Sequence, residues 1–308
     1  MTLSEDIKRA TVEEVQLAPQ ATAQAQTSAR TPPAMNTGPL HGLWALTHRD
    51  LRKWYSNRIQ LVIALVQPVI WMGVFGKAFN IGAIITQSGA SSAAANAAIL
   101  GTFGVTSYFS YLACGQFASI VLFTSAFSGM SVVFDRRFGF MNKALSTPVG
   151  RGTIVMGKVF QSVGRSLIQS VMILAIAIAL GLDTSHLTVL GVAGAFAVVF
   201  FMAMGLSALY VMLALRSSDW QTQMAIINLL NLPLIFASNS LLPVKIMPLW
   251  LQDVVRVNPL SYANDAIRQL LIGAIGLNTL PVDFAVVLAF AVVLSATGIV
   301  MSWRLLSK

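Results

Sequence analysis

The chain has 308 residues, 56% of them hydrophobic and 10% charged, with a mean hydropathy of +0.73, which excludes an ordinary water-facing surface and reads as an integral membrane protein. The formal charge of +9 sits in short basic stretches between apolar runs, an arrangement suited to loops beside anionic headgroups and not to the continuous stripe of a nucleic-acid binder.

Residues 1–39 are dominated by Ala, Gln, Thr and Pro and show no sustained apolar period, so they read as a disordered cytoplasmic tail. No basic start followed by an apolar core marks a secretory leader. Residues 40–308 read as one transmembrane domain. Across 40–58, Leu40, Leu43, Trp44, Leu51, Trp54 and Tyr55 recur at three- and four-residue intervals, with Arg49, Asp50, Arg52 and Lys53 on the other side. That pattern predicts an amphipathic helix in the membrane interface.

A bilayer core of about 30 Å takes roughly 20 helical residues, and six stretches qualify: 59–79, 106–133, 162–182, 189–215, 224–242 and 284–303. They are continuously apolar rather than alternating, so the expected class is all-α with six transmembrane helices. Pro68 and Pro233 mark candidate kinks. Cys114, the one cysteine, lies inside the second stretch and excludes an intrachain disulfide and a thiolate-rich metal site. Arg49, Arg52, Lys53, Arg58, Arg136, Arg137, Lys143, Arg151, Lys158, Arg216, Arg304 and Lys308 fall on one side of such a topology, while 80–98 and 181–188 hold neither Lys nor Arg. The bias puts both termini in the cytoplasm. Lys77, Lys245, Arg256 and Arg268 are exceptions.

Residues 135–158, between the second and third stretches, are too polar to cross and too apolar for an idle linker. Phe138, Phe140, Met141, Ala144 and Leu145 form one side of a short helix that Thr147 and Pro148 end. Nothing in the sequence covers these apolar side chains, so headgroups or a soluble partner must. Residues 152–158 spell the start of a phosphate-binding loop, but Val159 stands where a Mg²⁺-holding Ser or Thr belongs, and no acidic strand end accompanies it. The chain is expected to have no ATPase site of its own. Further on, 243–272 reads as two short amphipathic helices joined by Asn258 and Pro259, a cap and a first helical residue. They suit a dip into the outer leaflet or a lid upon it.

Three stretches, QPVIWMGVFGKAF (67–79), DRRFGFMNKALSTPVGRGTIVMGKVF (135–160) and LPVKIMPLWLQDVVRVNPLSYANDAIRQLL (242–271), taken in that order, resemble the permease subunit of type-2 ATP-binding cassette (ABC) exporters, in the drug-resistance and nodulation-factor branch. The resemblance covers residues 40–308. It implies a permease paired with a second, identical one in the plasma membrane and seated on two copies of a cytoplasmic ABC ATPase, which carries the ATP and magnesium. No cofactor is implied in this chain. It also implies a cytoplasmic coupling helix over 136–147, with Arg136, Arg137, Phe138, Phe140, Met141, Lys143 and Leu145 at the ATPase, and two extracellular re-entrant helices meeting at Asn258 and Pro259. The branch usually has an acidic residue after the first basic pair, where Gly139 and Phe140 stand here. The implied cargo is an amphipathic or hydrophobic molecule, a drug, lipid or glycolipid.

Phe109, Phe117 and Phe123, with Phe103 and Phe127, either line a transport path or pack the bundle. His41, His48 and His186 read as polar anchors near interfaces. Arg165, just inside the third stretch, either snorkels to the cytoplasmic surface or faces a wet cavity. No carboxylate pair, no Ser-His-Asp set and no metal-ligand spacing stands out. An ion- or proton-coupled secondary transporter remains the alternative, although it would normally need an acidic residue or a His within a span.

Overall fold

A computed structural model describes residues 39–76, 86–87, 91–105, 107–146, 150–217 and 219–305. Of the tail expected over 1–39, residues 1–38 lie outside them and Pro39 opens the first helix, and Lys77, Thr147, Pro148 and the side chain of Leu145 lie outside them too. In chain order the helices are α1 (Pro39–Ser56), α2 (Arg58–Ile70), α3 (Ser92–Phe103), α4 (Tyr108–Arg137), α5 (Phe140–Leu145), α6 (Arg151–Ala179), α7 (Val189–Arg216), α8 (Trp220–Phe236), α9 (Leu249–Val257), α10 (Pro259–Ile272) and α11 (Leu280–Leu305). No strand occurs among the described residues. The protein is a helical membrane protein: among the described residues four stretches are long and apolar enough to cross a bilayer, and α1 with α2, bent by 71°, makes a fifth if the pair counts as one.

Two predicted spans take a different form from the one expected. The first begins as α2, but Pro68 removes a backbone donor inside it, and the chain passes into a π turn at Trp71–Phe75. The fifth, expected to reach residue 242, stops as a helix at Phe236. Its 17 residues make α8 about 26 Å long, and a buried polar turn at Ser238, Asn239 and Ser240 follows. Helix α3, capped by Ser91, occupies part of what reads as an outer loop, because an alanine run with little apolar contrast gives no amphipathic signal.

Helix α7 is the centre, packed against α4, α11, α6 and α10. Close approach requires small residues: a Cβ on Gly205 of α7 would stand 2.6 Å from the Phe290 ring of α11. Polar side chains tie the bundle internally. Thr124 donates to Gln169 at 2.5 Å, and Tyr210 donates to Asn231. In lipid the alternative for such groups is no partner at all, so they fix helix register.

The helices share two ends. At one, Leu46 of α1 packs against Gly157 of α6, Trp303 of α11 approaches Gly152, and Phe134 of α4 meets Trp220 of α8. Here gather Arg49, Arg136, Arg137, Lys158 and Arg304, and it is called the basic end. At the opposite end the start of α4 meets Asn239 beyond α8, and α10 meets the start of α11.

Candidate functional site

At the basic end α4 terminates because Gly139 takes φ +72°, a conformation that side-chain-bearing residues rarely adopt, and this turns the chain into the six-residue α5. Arg136 and Arg137 therefore close the long helix α4 and are not part of the short helix expected over 136–147. Arg136 donates to the carbonyls of Leu215 (2.7 Å) and Ser217 (3.2 Å), where α7 runs out of internal partners. Arg137 and Lys143 are exposed.

The chain itself covers most of the apolar side of α5, contrary to the sequence expectation. Met141 is 4% exposed and lies in a cluster with Val132, Val133, Ile154, Val155 and Leu215. Phe140 is half-buried, with the Arg49 guanidinium 4.0 Å from its ring centroid. Among the described side chains its neighbour Phe138 stands out, 79% exposed and stacked on Phe134 at 6.1 Å. The periodic reading places Phe138 and Phe140 on one face, but the Gly139 turn separates them.

Beneath α5 lies a charge cluster that sequence spacing does not reveal. Lys158, 6% exposed, pairs with Asp50 of α1 at 2.8 Å and Asp135 of α4 at 2.5 Å. Residues 152–158 are helical, so the resemblance to a phosphate-binding loop has no loop behind it, and the lysine is already engaged. Burial pushes the Asp50 carboxyl up, but the charges and hydrogen bonds of Lys158 and Arg49 outweigh this and hold it below its ordinary value. Asp50 thus faces α6 and not the solvent side predicted for it.

At the opposite end Asn258 caps α10 by accepting from the Leu260 N–H at 2.9 Å, and its amide donates to the Leu234 and Ala237 carbonyls at 2.8 and 2.6 Å. Pro259 starts α10, where an N–H would have no helical partner. Arg268, which reads as a loop charge in the sequence, is 2% exposed: it donates to the carbonyls of Tyr111, Asn239 and Ser240 and lies 3.5 Å from the Tyr111 ring. Asn258 and Arg268 together satisfy the carbonyls exposed where α8 stops short. The sequence also shows no carboxylate pair, yet Asp265 and Asp283 converge on the Gln269 amide, which donates to them at 3.4 and 2.8 Å. Backbone N–H groups of Leu277 and Asn278 donate to Asp265 as well.

Between the ends, Phe109 and Phe117 are core residues, Phe117 at 1% exposure. Phe123 and Phe127 line a cavity of about 300 Å³ between α2, α4 and α6, and Phe103 edges another of about 410 Å³ at the opposite end. An apolar groove of about 500 Å³ runs past Trp71, Phe75, Leu112 and Phe236. Arg165 does not snorkel free: it lines the first cavity beside Trp54.

Residues 41–272 match the ABC-2 type transporter family. The chain is 31% identical over 235 residues to the ycf38 protein of Pyropia yezoensis, covering 73% of this chain and 72% of the relative. It is 24% identical over 233 residues to the daunorubicin resistance ABC transporter permease protein DrrB1 of Streptomyces coeruleorubidus, covering 75% and 76%. Identity to nodulation protein J of Rhizobium leguminosarum bv. trifolii is 24% over 232 residues, covering 74% and 80%. Three-quarters of a helical, multi-pass membrane protein carries this pattern, and the chain belongs to the ABC-2 type transporter family as an ABC transporter permease of the drug-resistance and nodulation branch.

Proposed function

We propose that this permease exports an amphipathic or hydrophobic molecule across the plasma membrane, driven by ATP hydrolysed with magnesium on two copies of a separate cytoplasmic ATPase, and that it works as a homodimer. Six crossings fit best. The described chain starts and finishes at the basic end, which requires an even number, and α2 and α8 each run between the ends although both are short. The concentration of Lys and Arg assigns the basic end, and with it both termini, to the cytoplasm.

The observation that carries the coupling reading is the exposed Phe138 between Arg137 and Lys143, raised on a turn beside the half-buried Phe140 and the buried Met141 and Ala144. An aromatic anchor flanked by cations suits a groove on a soluble partner. Closure of the ATPase dimer would push this turn, and Phe140 under Arg49 and the Lys158 pairs would pass the displacement to α1, α4 and α6 together. The apolar groove and the mixed cavity suit cargo with substantial apolar surface, in keeping with relatives named for daunorubicin resistance and nodulation.

The test is co-purification of this permease with a separately expressed ABC ATPase subunit, together with cargo-stimulated hydrolysis in the reconstituted pair. Phe138→Ala is expected to weaken association by about 2 kcal/mol, as hot-spot truncations do. Unchanged association and unchanged stimulation would remove Phe138 from coupling. The buried Asp265 and Asp283 favour a second reading, ion- or proton-coupled transport, which predicts movement of cargo on an ion gradient without ATP.

A further inference from the structure

Among the described residues no carboxylate pairs with the cation Arg165. It sits on α6 seven residues beyond Lys158, about 10 Å along the axis, which in the proposed orientation is just inside the cytoplasmic leaflet. The Trp54 ring lies 5.6 Å from its guanidinium carbon. Its Nε is shielded from solvent without a hydrogen-bond partner, and no ion pair reaches it among the described residues. Asp50 is the acidic group whose field reaches it, and the two oxygens of Asp50 are taken by Arg49 and Lys158.

The cavity that Arg165 faces has the shape and lining to bring it a counter-ion. It extends along α4 from Phe127 to Gln116, eleven residues or about 16 Å, and among the described residues no acidic side chain lines it. Gln67 and Gln116 offer amides at its far end, while Ile63 and Phe127 form an apolar flank exposed on the side where acyl chains would lie. A bare cation at this depth is costly, and an anion lowers that cost most. A free phosphate would leave the apolar flank wet, and a cationic molecule would be repelled.

We propose that this cavity takes an anionic amphiphile from the cytoplasmic leaflet, its phosphate or carboxylate bonded to Arg165 and its apolar part lying along α2 and α4. This deepens the exporter reading by naming the class of its cargo, and rests on that reading for the orientation of the helices.

The test uses the full-length permease in phosphatidylcholine nanodiscs, without nucleotide or ATPase. The five tryptophans other than Trp54 are replaced by Phe, and quenching of Trp54 fluorescence is compared for brominated phosphatidic acid and brominated phosphatidylcholine. A charge-assisted hydrogen bond predicts a preference for phosphatidic acid on the order of tenfold or more. Arg165→Gln should abolish the preference, Arg165→Lys should keep part of it, and Arg52→Gln, at an exposed cation on α1, should leave it unchanged. Native mass spectrometry of phosphatidic acid retained by protein with all its tryptophans provides the same comparison if the single-tryptophan variant folds poorly. Equal quenching by the two lipids, or a preference that survives Arg165→Gln, would overturn the site. In proteoliposomes with the ATPase, ATP-driven movement of labelled phosphatidic acid that Arg165→Gln abolishes upholds the amphiphile as cargo. Phosphatidic acid that stays bound through turnover and is not moved overturns that assignment and leaves a resident lipid. Binding is read without the ATPase, so its loss leaves the exporter reading standing, and failure of the ATPase to associate leaves the binding result standing.

Discussion

Lys158 Nζ lies 2.8 Å from Asp50 Oδ2, joining side chains 108 residues apart and fixing the interfacial helix α1 to α6. Because Asp135 shares the same ammonium, Lys158→Ala would leave Asp135 without its ion pair and Asp50 with Arg49 alone. The expected cost is about 3–5 kcal/mol, read as a lowered unfolding temperature in detergent. Lys158→Met combined with Asp50→Asn and Asp135→Asn should recover most of it, since the penalty comes from the unpaired charge. An unaltered unfolding temperature in the single variant would show that water reaches the cluster.

The same pair has a pH signature of defined sign. The Asp50 carboxyl is held below its ordinary 3.8, so its contribution to stability is complete above about that pH and is lost as pH falls through the lowered value. Thermal unfolding should therefore show no Asp50-dependent change at neutral and mildly acid pH. Wild type and Asp50→Asn should converge only in strong acid, and convergence near neutrality would contradict the arrangement.

Asn258 accepts at the start of α10 and donates to the end of α8, and substitutions can separate these roles. Asn258→Ser keeps a capping oxygen but loses the donors to Leu234 and Ala237, each unmade bond costing about 1–3 kcal/mol. Asn258→Ala loses the cap as well, a further loss of about 1 kcal/mol. Unfolding temperatures should fall in the order wild type, Ser, Ala; equal values for Ser and wild type would show that the carbonyls find other donors.

Phe138 and Phe140 should behave differently despite their spacing. Phe138→Ala removes an exposed ring and should change stability by less than about 0.5 kcal/mol while weakening ATPase association. Phe140→Ala withdraws the ring beneath Arg49 and should lower stability first, by about 1–3 kcal/mol. Comparing unfolding with co-purification for each variant checks the split, and matching effects would mean that the Gly139 turn does not separate them.

Topology is readable by thiol labelling. Cys114 is buried and should stay silent toward an impermeant reagent in intact cells. In Cys114→Ser, single cysteines at the exposed Ser91 and Thr184 should react and one at the exposed Ser146 should not. Reversed labelling would invert the orientation.

The amino-acid sequence by itself determined that this is a helical membrane protein, that Lys and Arg gather at one end, and that Asn258 and Pro259 join two short helices. These follow from hydropathy, charge bias and capping chemistry, which act within a few neighbouring residues. Tertiary structure alone decided what the polar residues do. Asp50, Lys158 and Asp135 meet only because α1, α4 and α6 converge, Arg268 is buried where α8 stops early and α10 fills the gap, Asp283 is buried where α11 meets Gln269 of α10, and Arg165 faces a cavity lined by several helices. A charge in a sequence shows its sign and its cost in a membrane, while the partner that lowers that cost is chosen by packing across a hundred residues or more.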